Sequence, residues 1–131
     1  MKNKLNQVAR KAYAEYSNFH VGSIFVLENN QEFSGFNIEN ASYPLTMCAE
    51  RVAIFSMMNQ GINVNKTKEV HIFSSDSVQY LSPCGSCRQV MSEFLNPDVK
   101  IFMYKNDGEF ITKTFDEIMP LPVKKSLIEG R

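Results

Sequence analysis

The chain has 131 residues, 44% hydrophobic and 21% charged, which is enough for one globular core and too little for two, so residues 1–131 read as a single domain. Fourteen basic and fourteen acidic side chains cancel, so the Lys and Arg surplus that long nucleic acid calls for is missing and a small, weakly charged ligand is favoured. No apolar run reaches bilayer-spanning length, Met1-Lys2-Asn3-Lys4 is not followed by the core of a secretory signal, and three cysteines fit a reducing compartment, so a cytoplasmic protein without membrane contact is expected.

Leu5, Val8, Ala9, Ala12, Tyr13 and Tyr16 recur at helical spacing and predict an amphipathic first helix, ended by Ser17-Asn18. Residues 19–27 read as a strand, with Gly22 at a bulge or a close backbone approach; the turn 28–30 and a second strand over 31–38 complete a hairpin. Residues 39–45 form a loop, after which Thr46 is placed to cap a helix from Cys48 to about Asn59 that is apolar on several sides and stops at Gly61. A third strand covers 69–75. Ser82-Pro83 then opens a helix through Cys87, Val90, Met91 and Phe94, which Asn96-Pro97 ends. Strands over 99–104 and 109–114 flank the turn Asn106-Asp107-Gly108, and Thr114-Phe115-Asp116-Glu117 has the form of a capping box for a short last helix. Strands alternating with helices in the middle predict an α/β chain, one mixed sheet between helical layers.

All three cysteines lie in two short stretches, Cys48-Ala49-Glu50 and Pro83-Cys84-Gly85-Ser86-Cys87. Cys84 and Cys87 are three apart and share a helix face; at a helix N-terminus, free N–H groups and the dipole favour their thiolates. Cys48 has the corresponding place on the other central helix, and three thiolates with one open position match a catalytic zinc site. Glu50, two residues on, points about 200° away around an ideal helix, a placement for a carboxylate that misses the metal and reaches its water. Three thiolates and Zn²⁺ sum to a net negative charge, which Arg51 and Arg88 are placed to offset by hydrogen bonding the sulfurs. A thioredoxin-like redox pair leaves Cys48 and Glu50 unexplained. A closed structural site lacks a fourth ligand unless His20 or His71 supplies it, and both read as packing or surface residues.

Cys-x-Glu with Pro-Cys-x-x-Cys is the three-cysteine form of the zinc deaminase signature. With Tyr16-Ser17-Asn18-Phe19-His20-Val21-Gly22 and Asn37-Ile38-Glu39-Asn40-Ala41-Ser42-Tyr43 in register, the chain resembles the small homotetrameric cytidine deaminases from about residue 5 to about 122. The resemblance implies a three-layer α/β/α fold with a five-stranded mixed sheet, one Zn²⁺ per subunit held by Cys48, Cys84 and Cys87, and Glu50 as the proton carrier. It implies hydrolysis of cytidine and deoxycytidine to uridine and deoxyuridine with release of ammonia, the chemistry of pyrimidine salvage. Asn37 and Glu39 match the pair that bonds the ribose hydroxyl, Phe19 an aromatic wall, and Ala49 the backbone N–H that meets the pyrimidine carbonyl. Tyr43 matches a residue that reaches a neighbouring subunit's site. The family's closing Leu-Pro-x-x-Phe is altered here: Met119-Pro120-Leu121-Pro122-Val123 puts Val123 where the ring stands. Within the same chemistry, a deaminase of an aminoacyl-cytosine antibiotic shares the metal blocks, but Asn37-Ile38-Glu39-Asn40 argues for an ordinary ribose. Neutral charge argues against an editor of RNA or DNA. A zinc-stapled interaction domain is the non-enzymatic alternative.

Overall fold

In the computed structural model, which describes residues 1–130, helix α1 spans only Lys2–Ala9. The helical repeat continues to Tyr16, but the backbone of Tyr13 is claimed elsewhere: its N–H donates to the Asn37 carbonyl and its own carbonyl accepts from the Glu39 N–H. A parallel bridge from Tyr13 to Ile38 therefore ends the helix that periodicity alone extends. Strands β1 (Val21–Leu27) and β2 (Glu32–Phe36) form the expected antiparallel hairpin. Helix α2 covers Ala49–Asn59, β3 Thr67–Ser74, α3 Gly85–Phe94, β4 Lys100–Tyr104 and β5 Phe110–Thr114. The capping box at Thr114 opens the four-residue α4 (Phe115–Ile118), and α5 (Lys125–Glu129) adds one turn that no periodicity announces. Gly61 follows α2 at φ 75, the left-handed stop expected of it.

The five strands join in the order β2-β1-β3-β4-β5, antiparallel except for the β3–β4 pair. Helix α3 is the crossover that a parallel β3–β4 pair needs. Alternation sorts β1 between two cores. Ile24 and Val26 meet Leu5 and Ala9 of α1, while Phe25 and Leu27 meet Ala53, Ile54 and Met57 of α2 and Cys87 and Met91 of α3. Three layers result, with α1 alone on one face. Gly22 is a point of close approach, as expected: a Cβ there would lie 2.7 Å from the Leu5 carbonyl oxygen and 2.8 Å from the Ala9 nitrogen. The irregularity in pairing falls instead between Val26 and Leu27.

His71 is buried in β3 beneath this first layer. Its Nδ1 lies 2.8 Å from the Tyr104 hydroxyl and its Nε2 3.0 Å from Glu69 Oε1, and its ring stacks on Phe102 with centroids 4.3 Å apart. A neutral ring satisfies both contacts, with Tyr104 donating to Nδ1 and Nε2–H donating to Glu69. Burial lowers the His71 pKa below its ordinary value, outweighing the Glu69 carboxylate. The unfolded chain then takes up a proton at higher pH than the folded one. Stability is present above about pH 6.5 and is lost as pH falls from there toward the depressed folded value. Denaturant midpoints measured from pH 7.5 to 5 should show this acid slope, and His71→Asn should flatten it while lowering the midpoint at pH 7.5.

Candidate active site

Cys48 and Cys84 are the N-cap residues of α2 and α3, both in extended backbone conformation, and the two helix starts face each other. Neither start is where the turn chemistry of Thr46 and Ser82-Pro83 places it. Thr46 instead closes a short 3-10 turn over Tyr43–Leu45, and each cysteine takes over the capping position. The Cys87 N–H donates to Cys84 Sγ at 3.4 Å, a cap made by sulfur. The thiols of Cys48, Cys84 and Cys87 lie within 4.8 Å of one another, and the Cys48 and Cys84 sulfurs are 3.7 Å apart. Zinc–sulfur bonds of about 2.3 Å at tetrahedral angles put two sulfurs about 3.8 Å apart, close to the Cys48–Cys84 spacing, so this three-thiol donor set suits Zn²⁺.

Arg51 Nη2 donates to Cys48 Sγ at 3.3 Å, as its position predicts. Arg88 does not reach a sulfur. Its Nε donates to the Pro83 carbonyl at 2.8 Å and its Nη1 to the Ile118 carbonyl at 2.7 Å, so it ties the motif loop to the end of α4. It supports the metal loop through backbone and not through charge on the thiolates. The Cys48 pKa falls to about 5, first through a hydrogen bond from the Cys87 thiol and then through Arg51. Cys87 moves the opposite way, because its proton is held by Cys48 and the site is buried.

Glu50 sits in the first turn of α2 and is 3% exposed. Burial pushes its carboxyl up to about 7, and the charge on Cys48 adds to the shift. A dication bound beside it would pull that value back down. Glu50 opens into a cleft of about 300 Å³ with Phe19, Val21, Asn37, Glu39, Ala49 and Cys84 among its lining residues. That volume is at the small end of ligand sites. Seven of the sequence-predicted residues, Phe19, Asn37, Glu39, Cys48, Ala49, Glu50 and Cys84, therefore share one cavity.

Asn37 spans the cleft wall: its Oδ1 accepts the Val21 N–H at 2.9 Å and its Nδ2 donates to the Phe19 carbonyl at 2.8 Å. Glu39 Oε1 accepts the N–H groups of Tyr16 (3.0 Å) and Ser17 (3.1 Å), and Oε2 accepts from the Ser17 hydroxyl. That hydroxyl, then the two N–H groups, hold the Glu39 carboxyl below its ordinary value. Tyr43 stands outside this cleft, 72% exposed, and lines a neighbouring depression with Tyr16 and Asn40. Val123 lies on the α3 side, where its carbonyl accepts from Gln89 Nε2 at 2.9 Å, and does not line the cleft of its own chain. Ser17, Thr46, Ile72, Leu81 and Ser82 also line the cleft. Ser17 belongs to the 16–22 block, Thr46 and Ser82 carried helix-start signals, and nothing in the sequence marked Ile72 or Leu81 as cleft residues.

The depth of α2 is set at Gly35 of β2. A Cβ there would stand 2.4 Å from both the Ala49 carbonyl oxygen and the Ala53 nitrogen. Backbone cannot yield as a flexible side chain does, so Gly35→Ala must push out the helix that carries Cys48 and Glu50. Overpacking of this kind costs about 1–3 kcal/mol. A shift near 1 Å costs about 10²-fold in rate. Thermal melts and steady-state kinetics on Gly35→Ala should show both losses together.

The pattern of residues 1–103 matches the family model described as the cytidine and deoxycytidylate deaminase zinc-binding region. A cytidine deaminase of Mycoplasma genitalium is 39% identical over 123 residues, covering 94% of this chain and 92% of that protein. A cytidine deaminase of Mycoplasma pneumoniae is 40% identical over 116 residues, covering 88% of this chain and 86% of that one. Among solved structures, the cytidine deaminase of Burkholderia pseudomallei superposes with a TM-score of 0.84 at 33% identity, over 94% of this chain and 99% of that chain.

Proposed function

This chain belongs to the cytidine deaminase family, and we propose that it acts as a single catalytic domain converting cytidine and deoxycytidine to uridine and deoxyuridine with release of ammonia. The observation that carries the reading is the buried Glu50 carboxyl at the start of α2, facing the cleft that Cys48 and Cys84 of the three-sulfur cluster also line. Cys48, Cys84 and Cys87 hold Zn²⁺. When bound, the metal supplies a Lewis acid that brings the pKa of a water close to neutrality. Glu50 takes a proton from the attacking water and passes it to ring N3 as oxygen adds at C4. It then takes the second proton from the C4 hydroxyl and delivers it to the amino group, which leaves as ammonia as the C4–N bond breaks and C4=O forms. Burial suits it to the first half of this shuttle, because a carboxylate whose ionised form is disfavoured takes up a proton more readily than an exposed one.

Phe19 packs on the nucleoside from the cleft wall, the Ala49 N–H meets the pyrimidine carbonyl, and Asn37 and Glu39 accept or donate at the sugar. Arg51 balances charge at Cys48. Tyr43 reaches the site of a neighbouring copy: its 72% exposure, beside an exposed Leu45 and Tyr16, supports an assembly buried at this edge, a cytoplasmic homotetramer with sites at its interfaces.

Loss of cytidine absorbance with matched ammonia release, by zinc-loaded protein, tests the activity. Turnover of an aminoacyl-cytosine antibiotic in preference to cytidine would overturn the substrate, and absence of turnover of either would overturn the enzyme reading. Light scattering should give about 60 kDa for four copies of the 15.0 kDa chain, and a monomer would overturn the shared sites.

A further inference from the structure

The segment from Tyr16 to His20 carries the aromatic wall of the cleft on irregular backbone, and side chains hold it from several directions. Asp76 Oδ2 accepts the His20 N–H at 2.9 Å and lies 3.1 Å from His20 Nδ1. Asn37 donates to the Phe19 carbonyl, and Glu39 accepts from Tyr16 and Ser17. Ser17 Oγ is the point where these restraints meet: it accepts the Phe19 N–H at 3.0 Å and donates its own hydrogen to Glu39 Oε2. Asn18, between the two bonded residues, sits at φ 55, the left-handed turn that folds Phe19 back over Ser17. One hydroxyl thus links the aromatic wall to the sugar-side carboxylate, and each of its bonds polarises the other.

An ionised carboxylate offers about four acceptor sites. Two backbone N–H groups and the Ser17 hydroxyl take three from within the protein, which leaves Glu39 about one directed site for a donor in the cleft. We infer that Ser17 is a positioning residue for the sugar end of the substrate, locking the Glu39 carboxylate so that its open acceptor site meets a single ribose hydroxyl in one orientation. This rests on the reading of Glu39 as a sugar contact. Without the Ser17 hydroxyl, Oε2 is released to water, the carboxylate turns about its two remaining bonds, and Phe19 keeps only the Asn37 bond of its two backbone tethers. The substrate's glycosidic end is then held less firmly in ground state and transition state alike, so KM changes and kcat does not.

Steady-state kinetics on zinc-loaded protein provide the test. Ser17→Ala should raise KM for cytidine roughly tenfold, the value of one hydrogen bond to a charged group, with kcat within about threefold of the parent. Ser17→Thr, which keeps the hydroxyl, should restore KM. Most of the Ser17→Ala penalty should be lost on 2′,3′-dideoxycytidine, which has no ribose hydroxyl at those positions, and on a Glu39→Gln background, the small remainder being the Phe19 tether. An unchanged KM in Ser17→Ala, or an equal penalty on the dideoxy substrate, would overturn the role of Ser17 while leaving Glu39 as a sugar contact. If Glu39→Gln itself leaves KM for cytidine unchanged, the sugar reading of Glu39 falls and the positioning role falls with it.

Discussion

Replacing Glu50 with Gln is expected to lower kcat for cytidine by about 10⁴-fold while the protein keeps its zinc and still binds nucleoside. Single general acid–base contributions run to about 10²–10⁴-fold, and one side chain is proposed to serve the attacking water, ring N3 and the leaving group, so the upper end is expected. The substitution is isosteric and neutral. It removes a buried carboxyl whose ionised form burial already disfavours, so folding stability above pH 7 should hold or rise. Elemental analysis, a melting curve and single-turnover kinetics together check this. Retention of kcat within tenfold would rule out the shuttle, and loss of zinc in the variant would mean that Glu50 holds the metal as well as the proton.

The second large effect is expected at Cys84. Its sulfur caps α3 and is proposed as a metal ligand, and the two contributions differ enough in size to be separated. Loss of an N-cap costs about 1 kcal/mol, a few degrees of melting temperature for a chain of this size. Loss of a structural-strength zinc site forfeits far more, because binding to the folded state alone is folding free energy. Cys84→Ala should therefore purify with no stoichiometric zinc, show no turnover above background, and melt more than about 10 °C below the parent. A strong chelator should bring the parent down to a similar melting temperature, and added Zn²⁺ should restore the parent and not the variant. A drop of only a few degrees, with zinc retained, would show that the cluster is a set of caps and not a metal centre.

Most of the elements were legible because their signals are local. The Asn-Asp-Gly turn, the capping box at Thr114, Gly61 at a positive φ and the period-two strands all depend on residues close in sequence. The metal cluster was legible for a different reason: thiols at helix-start spacing have few structural uses, so two short motifs carry more information than a whole amphipathic stripe. Apart from the helix starts at Thr46 and Ser82-Pro83, which fall one or two residues later at Cys48 and Cys84, the misreadings are non-local. Nothing in residues 9–16 says that the backbone of Tyr13 will be taken by residues 37–39, so the first helix looked as if it ran on past Ala9 to Tyr16. Arg88 stands next to Cys87 in sequence, but carbonyls of Pro83 and Ile118 compete for its guanidinium, and the second lies 30 positions away. Strand order was not readable at all, since it depends on which sheet edge each crossover reaches. Ser17 was visible only as one letter of a block; its pairing with Glu39 spans 22 positions and needed coordinates.

Gly22 and Gly35 lie on paired neighbouring strands, and each admits a helix backbone against the sheet, α1 on one side and α2 on the other. Main chain resting on main chain makes a fixed-thickness ruler that has no side-chain parameter in it. Hydrophobic residues elsewhere in the two cores can therefore be exchanged during evolution, with volume gained in one place and lost in another, without altering how far the catalytic helix stands from the sheet. Sequence drift in the interior and accuracy at the reacting atoms are thereby uncoupled, at the price of two positions where nothing larger than a hydrogen fits.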